Sequence, residues 1–235
     1  MNTDIDYDAL KKKGFLQSKT DGMFTLRTRM LAGNYESRHL DKISEIAKKY
    51  AKGLVHLTVR QGIEVPFIQY KDILAVEKEL QLAGVKLGTS GPRLRTITVC
   101  PGNNWCKRGL VNTFELAERM ERELGIICGM ELPHKFKIAI SGCPNTCTKA
   151  QGSEVGVHGV VDTSNKSIGY AIYIGGCGGR APRVGFKLDK VFTTNEMLGI
   201  IEKVINFFRS KAKPRQRLGT LIDEFGKDKF LSEIL

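Results

Sequence analysis

Two pairs of cysteines hold the most specific chemistry in this chain. The first closes Cys100-Pro-Gly-Asn-Asn-Trp-Cys106, and the second closes Cys143-Pro-Asn-Thr-Cys147. A C-x5-C…C-x3-C spacing gathers four thiols from two short segments, a soft donor set for one metal centre. Thiolates of this kind select zinc or an iron–sulfur cluster over hard cations. Zinc ribbons favour two to four residues inside each pair, so gaps of five and three suit a cubane better than zinc. Disulfides would need an oxidising compartment, and the sequence points to none.

Basic residues at strand spacing accompany the thiols. Arg27 with Arg29, Arg93 with Arg95, and Lys135 with Lys137 each stand two apart, so each pair shares one face of an extended segment. Arginine presents a fixed fork to an oxyanion, and lysine a movable, proton-bearing charge. Taken singly, each pair reads equally as two surface charges on an amphipathic strand. The run Gly175-Gly176-Cys177-Gly178-Gly179-Arg180 lets backbone approach a large flat group, although such a cluster taken alone reads as a loop. Its place after both cysteine pairs and before Arg183 favours the cofactor reading for Gly176 and Arg180.

The segment Ser141-Gly142-Cys143-Pro144-Asn145-Thr146-Cys147, preceded by C-x5-C, resembles the signature of the sirohaem-dependent sulfite and nitrite reductases. The resemblance runs from about Phe24 to the C-terminus. It implies a [4Fe–4S] cluster on Cys100, Cys106, Cys143 and Cys147, with Cys147 also bridging to the sirohaem iron. It also implies a catalytic set of Arg27, Arg95, Lys135 and Lys137 facing the substrate. Arg29, Arg60 in Thr58-Val59-Arg60-Gln61, Arg93, Asn145, Gly176 and Arg180 would then turn towards the cofactor. The implied activity is six-electron reduction of sulfite to sulfide. Reduction of nitrite to ammonia is the alternative, since the Trp105-Cys106 ending is similar to large nitrite reductases. Plant-type nitrite reductases carry asparagine where this chain has Lys137. A non-catalytic electron-transfer or cofactor-storage subunit is a third reading.

Full-length members of that family carry the half-domain and cluster-domain unit twice, whereas this chain has it once. It has no flavin or nicotinamide module and no additional C-x2-C-x2-C run. Electrons are therefore expected from a separate acidic protein such as ferredoxin or flavodoxin. A two-fold homodimer, each site built from two chains, is a further expectation.

The net charge of +12 over 235 residues would suit nucleic acid, yet no helix-turn-helix, zinc-finger or RNP pattern is present. An anionic cofactor, an anionic substrate and an acidic donor use the same charge. No apolar run is long enough to span a bilayer, and the acidic start lacks the form of a signal peptide, so a cytoplasmic protein is expected.

The elements that must position these residues follow from periodicity, and the expected class is α+β: a ferredoxin-like half-domain followed by an α/β sirohaem/[4Fe–4S] domain. A lead over 1–20 is followed by the half-domain over 21–86. It contains a strand over 23–31 with Phe24, Leu26 and Met30 on one face, and a helix over 37–51 burying Leu40, Ile43, Ala47 and Tyr50. One or two strands follow over 54–68, with a sheet edge or a strand end at Pro66, and then a helix over 70–83. The cofactor domain is expected over 92–235, with strands over 93–99 and 135–140 and a helix to Leu124 carrying Leu110. Pro144 is expected to open a helix that sets Cys143 and Cys147 on one side. A hairpin pairs 155–161 with 168–174. The capping box Thr193-x-x-Glu196 opens a helix to Ser210, a solvated basic linker covers 209–217, and a last helix spans 221–235. His134 stands beside the lysine pair as a proton relay or a surface group. Cys128 and Cys177 read as packed thiols, and Trp105 as a shield for the cluster.

Overall fold

The computed structural model describes residues 5–235, and the first four residues of the expected N-terminal lead lie outside the described residues. The chain divides into two compact units, Met1–Gly91 and Pro92–Leu235.

In the first unit, β1 (Phe15–Gln17), β2 (Met23–Arg29), β3 (His56–Leu57) and β4 (Ile63–Gln69) form an antiparallel sheet in the order β1-β2-β4-β3. A fifth strand, β5 (Lys86–Leu87), pairs with the end of β2. The short α1 (Tyr7–Lys12) precedes the sheet. Ile43, Ile46 and Ala47 of α2 (Ser37–Tyr50) and Ile73, Val76 and Leu80 of α3 (Ile73–Leu82) share one core with Phe15, Phe24, Leu26, Val65 and Ile68. Burying each large apolar side chain contributes about 1.5–3 kcal/mol, which helices spaced three and four apart can collect only along one stripe.

The second unit is built on a five-stranded sheet in the order β10-β9-β8-β7-β6. Its strands are β6 (Thr98–Val99), β7 (Ile138–Ser141), β8 (Val155–Val161), β9 (Ile168–Ile174) and β10 (Phe186–Lys187). β6, β7 and β8 run parallel, and β8, β9 and β10 are antiparallel. All four residues of β7 are buried, as a central parallel strand requires. Four helices follow the same chain: α4 (Thr113–Leu124), α5 (Thr194–Lys211), α6 (Leu218–Phe225) and α7 (Lys227–Ile234). Thr193 and Glu196 form the expected capping box, with the Glu196 carboxylate accepting the Thr193 N–H at 2.8 Å. Among the described residues no helix is long and apolar enough to cross a membrane.

Several elements differ from their sequence reading. Pro66 lies within β4 rather than at its end, but beyond the Ile63 and Glu64 pairs made by β3, so it stands on an edge of the sheet, as one of the two expectations has it. There the register slips so that Pro66 and Phe67 stand between the pairs Leu26–Val65 and Phe24–Ile68, and Phe67 takes φ 71°. A bulge of this kind tolerates a residue that cannot donate to the ladder. In α2 the buried face is His39, Ile43, Ile46 and Ala47, while Leu40 is 46% exposed. His39 points inward because its Nδ1 caps the helix by accepting the Glu36 N–H at 3.1 Å. α4 begins at Thr113, after Leu110, because Asn112 caps it through the Glu115 N–H. The last helix is two helices, broken at Gly226 with φ 96°.

Candidate cofactor and oxyanion site

Both cysteine loops spring from the carboxyl ends of the adjacent parallel strands β6 and β7, where Val99 pairs with Ile140. Cys100 donates its N–H to the Ile140 carbonyl at 3.1 Å, and its Sγ accepts the Gly142 N–H at 3.0 Å. The Leu110 N–H reaches the Gly142 carbonyl at 2.8 Å. Ligands of open α/β sheets gather at such strand ends, because the chain must leave the sheet there. Cys100 and Cys143 are half-buried, Cys106 and Cys147 are exposed, and all four are free thiols.

Three glycines, to which the motifs assign no role, explain why the two loops can meet. A Cβ on Gly142 would lie 2.6 Å from the Cα of Gly102, and one on Gly109 would lie 2.2 Å from the carbonyl of Gly102. Gly102 itself sits at φ 57° against the Val111 carbonyl. The first loop is further anchored by Thr113, whose hydroxyl donates to the Cys100 carbonyl at 2.5 Å. The second is braced by the Ser141 and Thr148 hydroxyls, 2.8 Å apart. The one available signal is glycine inside or beside each cysteine pair, and spacing alone does not show that these glycines face each other.

The expected helix over Cys143–Cys147 does not form. The Thr146 N–H returns to the Cys143 carbonyl at 3.2 Å, closing a turn, and Thr146 then takes φ 44°. Pro144 and the exposed Asn145 occupy that turn. Among the described residues no three His, Cys, Asp or Glu side chains converge closely enough for a single metal ion. A tetrahedral zinc would need its sulfurs about 3.8 Å apart, given Zn–S bonds of about 2.3 Å. A cubane, whose irons each take one thiolate, spreads the same four sulfurs more widely. The donor set and the N–H aimed at Cys100 Sγ fit a thiolate-held cluster, whose sulfurs take such hydrogen bonds. Trp105 is 70% exposed and packs edge-on against Phe114, so it covers little of either loop.

The basic residues of the second unit also collect beside one strand pair. The Arg95 N–H bonds to the Phe136 carbonyl at 2.8 Å, and the Phe136 N–H to the Arg93 carbonyl at 3.1 Å. This interleaves 93–95 with 134–137. Arg93 and Arg95 are buried, Lys135 and Lys137 are half-buried, and Arg93 also pairs with Glu131 at 3.2 Å. Burial, followed by the positive charges of Arg217, Lys135, Arg95 and Arg215, holds His134 below its ordinary pKa. It is neutral at pH 7. Arg215 and Arg217 come from the segment read as a solvated linker. Arg217 instead pairs closely with the fully buried Glu154. Burial pushes the Glu154 carboxyl up, against the opposing pull of Arg217 and Lys137. From Arg95 to Cys100 is five residues, at most about 18 Å of extended chain.

Gly176 is buried, and a Cβ there would lie 2.2 Å from the Gln151 carbonyl, so packing of its own chain already requires glycine. Arg180 is exposed in the loop that follows. Cys177 is buried, with its thiol donating to the Ala181 carbonyl at 3.4 Å, and Cys128 is half-buried beside Thr96. A separate cavity of ≈ 610 Å³ between β10, α5 and α7 lies towards the opposite edge of the sheet from β6 and contains none of the expected site residues.

In the first unit, Arg27 does not stand on an open face with Arg29. Its guanidinium donates to the Glu64 carboxylate at 2.6 and 2.9 Å, across a register pair of β2 and β4. Arg29 is buried, and the intervening Thr28 hydroxyl bonds to the Ile63 carbonyl at 3.1 Å. Arg60 is half-buried in the turn between β3 and β4, where Gln61 takes φ 60°.

Comparison with known proteins identifies the architecture. Residues 90–235 match the family described as nitrite and sulphite reductase 4Fe-4S domain, and residues 16–83 the nitrite/sulfite reductase ferredoxin-like half domain. The coenzyme F420-dependent sulfite reductase of Methanocaldococcus jannaschii is 29% identical over 94% of this chain and 44% of its own length. The assimilatory-type sulfite reductase of Nitratidesulfovibrio vulgaris is 26% identical over 83% of this chain and 85% of its own length. The structure of Mycobacterium tuberculosis NirA shares the fold, with a TM-score of 0.81 over 96% of this chain and 45% of that one at 19% identity. The chain spans less than half the length of the curated relatives it matches first. The fold matches account for the α+β pairing of a ferredoxin-like half-domain with a cluster domain, and the family and its curated reductases imply [4Fe–4S] and sirohaem as the cofactors. The chain belongs to the sirohaem-dependent nitrite and sulfite reductase family.

Proposed function

We propose that this chain catalyses six-electron reduction of sulfite to sulfide, with electrons from an external acidic donor protein such as ferredoxin or flavodoxin. The observation that carries the reading is the pairing of two features on one strand pair: four free thiols at the carboxyl ends of β6 and β7, and Arg95, Lys135 and Lys137 upstream of them. Cys100, Cys106, Cys143 and Cys147 hold the cluster, and Cys147 also serves the sirohaem. When bound, these groups supply an iron with an open position and an electron store wired to it.

The remaining work falls to the chain's own side chains. Arg95 binds the oxyanion as a fork, and Lys135 and Lys137 supply charge and protons. Arg93, Asn145 and Arg180 of the second unit hold the cofactor. His134, neutral and ringed by cations, accepts and passes protons between solvent and the lysines. A two-fold homodimer completes the assembly. Sulfite is favoured over nitrite because Lys137 places a second ammonium beside Lys135, which suits the more highly charged anion.

The test is anaerobic purification, followed by an absorption spectrum, iron analysis and assay of sulfide with reduced methyl viologen as donor. Sirohaem bands, four non-haem irons per chain and sulfide production are expected. Nitrite reduced far faster than sulfite would reverse the substrate assignment, and a protein that binds zinc alone would end it.

A further inference from the structure

Glu154 stands just before β8 and exposes none of its surface. Its carboxylate serves two partners. One oxygen accepts the main-chain N–H of Lys137 at 2.9 Å, and the other pairs with the Arg217 guanidinium. The next residue, Val155, donates its N–H to the Lys137 carbonyl at 3.2 Å. Both main-chain polar groups of Lys137 are therefore tied to consecutive residues, and its neighbours Phe136 and Ile138 are fully buried. The Glu154 carbonyl in turn accepts the Gly175 N–H at 2.9 Å. Arg217 opens α6, where a Cβ on Gly219 would come within 2.4 Å of the Gly175 carbonyl. Three segments far apart in sequence thus converge on one residue.

Stability does not explain that choice. A buried ion pair contributes little that a well-packed apolar pair of similar volume would not, because both charges lose their hydration. An apolar residue gives no direction, whereas a carboxylate held by Arg217 on one oxygen can aim the other at a single N–H. We infer that Glu154 is a positioning residue: it fixes the point from which the Lys137 ammonium reaches the oxyanion and keeps Arg217 among the neighbouring cations. This rests on the reading above, in which Lys137 meets the substrate.

A double-mutant cycle on the holoenzyme tests it. Glu154→Gln turns an acceptor into a donor towards one of its two partners. It is expected to lower kcat/KM for sulfite at least tenfold while iron and sirohaem content stay at the wild-type level. In a Lys137→Ala background the same change is expected to alter kcat/KM less than twofold, because the group it positions is gone. Losses that multiply in full would overturn the inference. Glu154→Met/Arg217→Met, which leaves no buried charge unpaired, guards against simple misfolding and is expected to follow the same pattern. Loss of cofactor from both variants would mark Glu154 as a structural residue and also overturn it. Competitive amine labelling read by mass spectrometry gives an arm independent of turnover. The reactivity of Lys137 relative to Lys190 is expected to change at least threefold in Glu154→Gln, and an unchanged ratio counts against positioning. A wild-type enzyme without sulfite turnover would sink the substrate reading alone, leaving the labelling arm to decide the role of Glu154.

Discussion

Gly142→Ala probes whether the interlocked glycines hold the two cysteine loops in register. The added methyl would start 2.6 Å from the Gly102 Cα, against 3.4 Å for ordinary contact, a shortfall of 0.8 Å. The obstruction is backbone, so no side chain can swing aside. Gly102 cannot retreat freely either, because its own Cβ direction already faces the Val111 carbonyl at 2.5 Å and the Thr113 hydroxyl at 2.8 Å. Overpacking of this kind costs about 1–3 kcal/mol, and a chain of this length loses about 2–4 °C of melting temperature per kcal/mol. The larger effect falls on the cluster. Metal-site distances tolerate about 0.2 Å, so a shift of several tenths of an ångström between Cys100 and Cys143 exceeds what the ligand set can absorb. The expected outcome is a folded protein, melting several degrees lower, with iron and the cluster's absorption reduced by half or more. Iron analysis, visible absorption and thermal melting on anaerobically prepared protein measure this. Full iron content with an unchanged melting temperature would refute the argument, since it would show that the loops meet without the glycine contact.

Gly199→Ala is the opposite case. Gly199 lies inside α5 and a Cβ there meets nothing within 4 Å, so the substitution is expected to stabilise the fold by about 1 kcal/mol without changing iron content, read by denaturant melting. Cys147→Ser is expected to disturb the cluster and sirohaem absorption together, and a spectrum with both bands intact would remove Cys147 from the shared position. For pH, burial holds both His134 and His158 below their ordinary pKa, with the cations around His134 adding to it and the hydrogen bond from His158 to the Gly159 carbonyl partly opposing it. The unfolded chain therefore takes up protons that the folded one refuses. The stability these groups contribute is complete above about pH 6.5 and is lost as pH falls towards their folded values. Denaturation midpoints at pH 7.5, 6.5 and 5.5 should fall in that order, with a shallower slope in His134→Gln, and a flat profile would contradict the assignment.

What was legible from sequence follows a physical line. The hairpin of β8 and β9 and the capping box at Thr193 depend on residues a few places apart, so period and cap chemistry place them correctly. The thiols were legible because their chemistry is rare and their spacing discriminating. The helix across Cys143–Cys147 was misplaced for a related reason. Pro144 suits the first turn of a helix and equally suits a β-turn, and only the positive φ of Thr146 separates the two. Spacing places Leu40 inside, yet the cap formed by His39 and Glu36 rotates the buried stripe towards Ile46.

The illegible part is the counter-ion chemistry. Arg27 with Glu64, and Arg217 with Glu154, are separated by 37 and 63 residues, and no periodicity links such partners. A basic run such as Arg209–Arg217 is read as solvated because local pattern shows no acid beside it. In the fold the last of these arginines meets a carboxylate at the start of a buried strand. The same carboxylate takes the N–H of Lys137, so the residue that organises the cationic group is acidic and lies outside every motif. Charge counting along the sequence finds the clustered cations, but it cannot find the carboxylate that ties down the backbone beneath them. That information lies in the register of β7 beside β8, because parallel pairing brings Lys137 level with Glu154 one step before the ladder from Ile138–Val155 begins. Where a motif names the reacting groups, the fold's contribution is the long-range partner that removes their freedom, and Glu154 is the clearest instance in this chain.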